Sequence, residues 1–172
     1  MLREAAVLVP VYRRQDGELM VVLVRRAPGG VHGGQLALPG GQREPADADL
    51  AATALREANE ELGLVGDQLE LLAALPVIET QTTGFRIARF LARLTGPVPW
   101  RLQEREVAEV VELRVADLAR PEVGAEEVHT FPTWPAPRRV RLWRVGGHKV
   151  WGVSYRILEP LVPRLLAGEW PL

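Results

Sequence analysis

The stretch ALREANEELGLVG, residues 54–66, decides how this chain is read. Glu57, Glu60 and Glu61 crowd the end of a helical pattern. Carboxylates spaced i, i+3 and i+4 share a helix face and repel by roughly 0.2–0.5 kcal/mol per pair. They also stand near the C-terminal end, where the helix dipole favours cations. Three anions kept there call for a compensating positive charge.

The spacing around that cluster predicts a helix from about Asp49 to Leu62. Asp47 or Asp49 is the candidate N-cap, and Gly63 suits the left-handed residue that ends a helix. Ala51, Leu55, Ala58 and Leu62 recur at steps of four, three and four, the pattern of a buried stripe. The three glutamates are expected to face away from that stripe.

Upstream, EAAVLVPVY (4–12) and ELMVVLVRR (18–26) read as strands, with Asp16-Gly17 between them as a hairpin turn signal. Residues 27–46 are rich in Gly and Pro and read as a long loop around LALPGG, and such loops are usually functional. Downstream, QLELLAALPVIE (68–79), FRIARFLARL (85–94) and EVAEVVELRV (106–115) read as strands. DLAR (117–120) reads as a helical turn and 121–137 as an acidic, Pro-rich loop. RRVRLWRV (138–145) reads as another strand, and the final helix is expected from about Ser154 to Leu166. Strands not separated by regular helices point to an α/β sandwich with a mixed sheet. No internal repeat or domain boundary is visible, so residues 1–172 are expected to form one domain.

Composition narrows the function. With 21 basic and 22 acidic residues in 172, net charge is −1, so nothing electrostatic points to nucleic acid or an anionic membrane. No cysteine is present, which excludes disulfides and thiolate metal sites. The first residues carry charge without a long apolar core, so no signal peptide is expected. No run approaches the ~20 apolar residues of a membrane span. A cytoplasmic location is the default expectation. The five Trp residues are read as core or dimer contacts, which leaves a homodimer as one expectation, with Trp134 the best candidate for base stacking.

Glu57 and Glu61 lie one helical turn apart, so their oxygens can reach one ion, and hard oxygen ligands favour Mg²⁺ or Mn²⁺. Glu60 is a candidate for a second ion or for orienting a water. A backbone carbonyl from the Gly40-Gly41 bend is available to complete the coordination sphere.

From Gly41 through Asp47 to Arg56-Glu57-Ala58-Asn59-Glu60-Glu61-Leu62-Gly63-Leu64, the sequence resembles the Nudix box, the signature of Nudix hydrolases. It departs from the pattern in two places: Asp47 stands where Glu is usual, and one extra residue precedes Arg56. The resemblance implies a Nudix-type α/β/α sandwich and a single Nudix domain spanning 1–172. It also implies metal-dependent cleavage of the pyrophosphate in a nucleoside diphosphate linked to another moiety. Carried over, Glu57 and Glu61 are the primary metal ligands, with Glu60 close by, Gly41 adding its carbonyl and Arg56 bracing the carboxylates. The catalytic candidates are thus Glu57, Glu60, Glu61 and Arg56.

Four flanking segments resemble the coenzyme A pyrophosphatase branch. They are Val31-His32-Gly33-Gly34-Gln35-Leu36-Ala37-Leu38-Pro39-Gly40-Gly41, the run from Leu75-Pro76 to Ile87, Glu106-Val107-Ala108-Glu109-Val110, and Trp151-Gly152-Val153-Ser154-Tyr155-Arg156-Ile157-Leu158. Gly29-Gly30 replaces the Leu-Arg pair that many members carry before the His. Arg25 and Arg26 are therefore the candidates for the substrate phosphate. His32, Gln35 and Gly40 complete the substrate-binding candidates, His32 either as donor to a phosphate or as the group that orients Gln35. His129 and His148 have no partner in sequence and are expected at the surface. Glu106 or Glu109 is the candidate distal carboxylate that helps the attacking water. The substrate expected from this likeness is coenzyme A or an acyl derivative, cleaved to adenosine 3′,5′-bisphosphate and 4′-phosphopantetheine. ADP-ribose or a related nucleotide is the alternative, and a catalytically silent binding module the third reading.

Overall fold

The computed structural model describes all residues except Val31, Gln81, Thr82 and Pro97. Three residues of the flanking segments, Val31, Gln81 and Thr82, therefore lie outside the described part. The chain opens with antiparallel strands β1 (Arg3–Arg13) and β2 (Leu19–Arg26), Val11 opposite Val21. Gly17, at φ +87°, supplies the left-handed turn conformation that the Asp16-Gly17 signal demands.

The expected loop 27–46 contains two short strands, β3 (Leu36–Ala37) on β2 and β4 (Gly40–Gln42) on β1. β1 pairs with β2 near its end and with β4 near its start, so β3 and β4 fill the fork where the two long strands part. Strands two or three residues long carry no readable alternation, which is why the sequence showed only a loop.

Helix α1 (Leu50–Leu62) starts at Asp49, whose side chain accepts the Ala52 N–H, and ends at Gly63, φ +74°. Of the two candidate caps Asp49 is the one used, an interaction of about 1 kcal/mol. β5 (Leu69–Thr80), β6 (Phe85–Leu94) and β7 (Val107–Arg114) follow as expected. The helical turn comes slightly early, as α2 (Val115–Leu118). The expected loop 121–137 instead contains strand β8 (Gly124–His129), which pairs with β9 (Arg138–Val145), itself paired with β10 (His148–Val150). β8 is acidic because its partner is arginine-rich, as in the Glu126–Arg139 pair, and that complementarity is invisible within β8 alone.

Helix α3 spans Gly152–Leu166, beginning two residues earlier than expected. It passes through Pro160 and Pro163, both on the exposed side. The carbonyls those prolines leave unpaired belong to Arg156 and Glu159, which also face solvent.

Among the described residues the large sheet has seven strands in the order β3-β2-β1-β6-β5, with β4 on β1 and β7 on β2, and only β1 and β6 run parallel. One face packs Ala54, Ala58 and Leu62 of α1 against Leu8, Val22 and Ala92. The other packs Ile157, Leu158 and Leu161 of α3 against Val9, Leu23 and Leu91. This is an α/β/α sandwich on a mixed sheet. Leu62 is fully buried, so its truncation to Ala would cost about 2–5 kcal/mol. Among the described residues no helix is long and apolar enough to cross a membrane.

Candidate active site

Which way α1 faces determines the site. Its buried positions are Thr53, Ala54, Ala58, Glu61 and Leu62, while Ala51 and Leu55 are only half-buried. The buried stripe is thus rotated from the expected one, and Glu61 lies inside it. The expectation that all three glutamates face away is corrected: Glu61 is 7% exposed, Glu57 is half-buried and Glu60 is exposed. A glutamate can take a core position here because β4, which it faces, is two glycines followed by a glutamine.

Gly40 and Gly41 have no side chain for a steric reason. A Cβ on Gly41 would collide with the Glu57 carboxylate, and one on Gly40 with the Ala6 carbonyl and Val7. Leu8 donates to the Pro39 carbonyl and Arg43 to that of Glu4. With the antiparallel alternation, this commits the polar groups of Gly41 to Ala6 and turns those of Gly40 outward. The Gly40 N–H accordingly donates to Glu61 Oε1 at 3.3 Å. The carbonyl free to face the site is therefore that of Gly40, and not that of Gly41 as the resemblance implied.

Glu57, Glu61 and Glu106 each bring a carboxylate oxygen to within 4.8 Å of the others. Glu106 comes from the segment just before β7, where its carbonyl accepts the Ala27 N–H. Burial pushes the Glu61 carboxyl up to about 8, and no Lys or Arg among the described residues forms an ion pair with it. Burial likewise raises Glu57. Crowded oxygens, a carboxylate held in the core and no side-chain counter-ion for it together form a set that fits a divalent cation. Glu60 stands outside this group.

Arg56 answers for the remaining anions. Its Nε and Nη2 donate to Asp47 Oδ1 at 2.9 Å and Oδ2 at 3.1 Å. Nη1 donates to Glu57 at 3.1 Å and Glu60 at 3.2 Å, and Nη2 to the Gln42 carbonyl at 3.0 Å. Asp47 also accepts from Glu44 N–H and Thr53 Oγ1, each at 2.9 Å. With these donors around it, chiefly Arg56, the Asp47 carboxyl is held well below the usual carboxylate range.

The other candidates separate clearly. Arg25 is engaged within the protein: Nε donates to Glu109 at 2.6 Å, Nη1 to the Gly34 carbonyl at 3.0 Å and Nη2 to His148 Nδ1 at 2.7 Å. Arg26 is exposed, and its charge acts on Glu61. His32 Nδ1 lies 3.2 Å from Gln35 Oε1, so His32 orients Gln35. Backbone bonds from Arg26 to Gln35 and from Gly34 to Arg26 fold this turn back on the strand end. His148 and His129 are not free surface histidines, since His129 Nε2 lies 2.7 Å from Glu127 and its ring packs edge-on against Trp151. Trp134 packs on Phe131 under the Arg138 guanidinium.

Sequence reasoning offered Glu106 and Glu109 as equals, and the structure separates them: Glu106 joins the carboxylates and Glu109 pairs with Arg25. No local pattern distinguishes the two.

The family model described as the NUDIX domain matches residues 1–134. A Cronobacter sakazakii protein described as an uncharacterized Nudix hydrolase, NudL, is 34% identical over 171 residues, covering 98% of this chain and 85% of that one. Among solved structures, an Enterococcus faecalis MutT/nudix family protein aligns with TM-score 0.63 at 18% identity, over 97% of this chain and 63% of that one. The NUDIX domain of Shewanella oneidensis NrtR, complexed with ADP ribose, aligns with TM-score 0.53 at 22% identity, over 69% of this chain and 76% of that one.

Proposed function

The chain belongs to the Nudix family and is a pyrophosphohydrolase acting on small-molecule nucleotide derivatives, and on that premise we propose that its substrate is coenzyme A or an acyl derivative. The products are adenosine 3′,5′-bisphosphate and 4′-phosphopantetheine. We read residues 1–172 as one Nudix domain, and the cysteine-free chain as a cytoplasmic enzyme. A silent binding module is set aside, because the family is one of hydrolases and Glu57, Glu60 and Glu61 are all present.

One observation carries the coenzyme A reading. The flanking segments that resemble that branch, far apart in sequence, are tied to one another, and two of them supply Gly40 and Glu106 to the carboxylates. The Leu38 N–H donates to Ser154 Oγ at 3.2 Å in a buried bond. That bond ties the segment running into Gly41 to the first turn of α3. Arg156, from the same α3 segment, donates to the Glu79 carbonyl of the second segment, Leu75 to Ile87, at 3.5 Å. The third segment contributes Glu106.

In this reading Glu57, Glu61 and the Gly40 carbonyl hold Mg²⁺ or Mn²⁺. When bound, the cation supplies neutralisation of pyrophosphate charge and acidification of water. Arg56 fixes the Glu57 carboxylate through its Asp47 anchor. Arg26, exposed and without an ion-pair partner among the described residues, offers its guanidinium to the diphosphate, while Gln35, oriented by His32, lines the same turn. Glu106, the exposed carboxylate of the three, accepts the proton of the attacking water as its oxygen bonds to phosphorus and the P–O bridge breaks.

The test is a comparison of coenzyme A, acetyl-coenzyme A and ADP-ribose as substrates, with Mg²⁺ and then with chelator. Coenzyme A or its acyl derivative is expected to give the higher kcat/KM, with activity lost on chelation. Faster cleavage of ADP-ribose would move the assignment to the second reading, which the ADP-ribose complex of the NrtR domain supports.

A further inference from the structure

On the α3 side of the sheet, Arg89 of β6 is a buried residue, 8% exposed, whose Nε donates to the Pro76 carbonyl at 2.5 Å. Among the described residues it pairs with no carboxylate, and its two terminal nitrogens have no acceptor. Yet among the described residues no side-chain nitrogen is both sealed from solvent and unpartnered. The terminal nitrogens of Arg89 are therefore reachable from outside. Burying an unpaired cation is costly. A second one makes it worse: Arg156 of α3 lies near enough for its charge, after burial, to hold Arg89 below the ordinary arginine range. Arg156 too has no carboxylate partner among the described residues, only the weak bond to the Glu79 carbonyl. Arg89 and Arg156 donate to two carbonyls of the same strand, Pro76 and Glu79 of β5. Two guanidiniums without a carboxylate partner among the described residues thus hang over one stretch of β5, an arrangement that suits an anion.

The register fixes where that anion would sit. Val7 of β1 is opposite Gly40 on one side and Arg89 on the other. Gly40, Val7 and Arg89 thus form one row across the sheet, about 10 Å from end to end at the usual strand spacing. Gly40 is the residue whose N–H holds Glu61. Arg89 lies on the α3 side of that row and the carboxylates on the α1 side. Ser154, two residues before Arg156, holds the Leu38 N–H two residues before Gly40, so the start of α3 stands at the strand that a substrate at the carboxylates would cross.

We propose that Arg89 and Arg156 form a subsite for a phosphomonoester carried by the substrate. A dianionic phosphate accepts paired, charge-assisted bonds from guanidinium forks. The proposal rests on the coenzyme A reading, since coenzyme A carries a 3′-phosphate and dephospho-coenzyme A does not. It also replaces Arg25 as the recognition group, because Arg25 is already engaged by Glu109, Gly34 and His148.

Arg156→Ala is the primary variant, because Arg156 is exposed and its loss leaves the core intact. The readout is the ratio of kcat/KM for coenzyme A to that for dephospho-coenzyme A. The ratio should fall about tenfold or more in Arg156→Ala, through KM, and recover in part in Arg156→Lys. A second measurement needs no turnover: the rise in Tm given by adenosine 3′,5′-bisphosphate against that given by adenosine 5′-monophosphate. The unmodified protein should prefer the bisphosphate, and Arg156→Ala should lose that preference. A protein that fails to cleave coenzyme A but prefers the bisphosphate in an Arg156-dependent way would retain the subsite and lose the substrate assignment. Coenzyme A cleavage with an unchanged ratio, or equal binding of the two nucleotides, would overturn the subsite.

Discussion

Arg56 grips both carboxylate oxygens of Asp47, at 2.9 and 3.1 Å, and with its remaining nitrogen holds Glu57 and Glu60. Asp47 is the residue that departs from the family pattern, and here it is the buried anchor of the arginine that positions the carboxylates. Its carboxyl is held low, so it contributes stability above about pH 4, the ordinary carboxylate pKa, which is lost as pH falls toward its folded value. Asp47→Asn should lower Tm at pH 7 and flatten the decline of Tm below about pH 4. Melting curves at pH 7 and pH 3 measure both effects, and an acid decline as steep as the parent's would contradict the anchor role.

Glu61 has the opposite sign. Its folded pKa of about 8 lies above the unfolded value of about 4.3. Between those values the folded protein keeps a proton that the unfolded chain has lost, so metal-free stability should fall as pH rises from about 4.3 to 8. Binding a divalent cation requires the ionised carboxylate, so Mg²⁺ should raise Tm most at the alkaline end. Thermal melts across pH 5–8, with and without Mg²⁺, test this, and Glu61→Gln should remove most of the slope.

The carboxylates are not equivalent. Glu57→Gln and Glu61→Gln should each lower turnover by ~100-fold or more, the scale of losing a key electrostatic group. Glu60→Gln, which removes an exposed partner of Arg56, should cost less than about tenfold. Steady-state rates at saturating Mg²⁺, with circular dichroism to confirm folding, make the comparison. A loss at Glu60 equal to that at Glu61 would break the grouping.

Gly40 and Gly41 should fail differently when substituted. Gly40→Ala drives a Cβ into the β1 backbone at Ala6 and should lower Tm directly. Gly41→Ala meets the flexible end of Glu57 and should leave a folded protein whose Tm responds weakly to Mg²⁺. Melts of both variants with and without Mg²⁺ separate the two effects. A normal Mg²⁺ response in Gly41→Ala would remove Glu57 from the cation site.

Much of this fold was legible before any coordinates. The β1–β2 hairpin was marked by Asp16-Gly17, and α1 by Asp49 and Gly63, because turns and helix ends are set by residues adjacent in sequence. Strands β5, β6 and β7 carried enough β-rich residues to be found. The box gave Arg56 and the glutamates together, since i, i+3 and i+4 spacing is itself a statement about space. β3, β4 and β8 were missed, because a strand that short or that polar exists only through its partner.

By itself, then, the sequence determined the elements whose physics is local: the hairpin, the capped helix, the acidic face with its arginine, and the family to which that pattern belongs. Tertiary structure alone decided which glutamate is buried, since that depends on how α1 rolls against a strand of glycines. It decided that Glu106 and not Glu109 joins the cluster, and that Arg25 is engaged while Arg26 is exposed. It also hung Arg89 and Arg156 over two carbonyls of β5, neither with a carboxylate partner among the described residues. Each of these is a contact between segments far apart in the chain. Such contacts are fixed by strand register and helix packing, which leave no mark in the residues on either side.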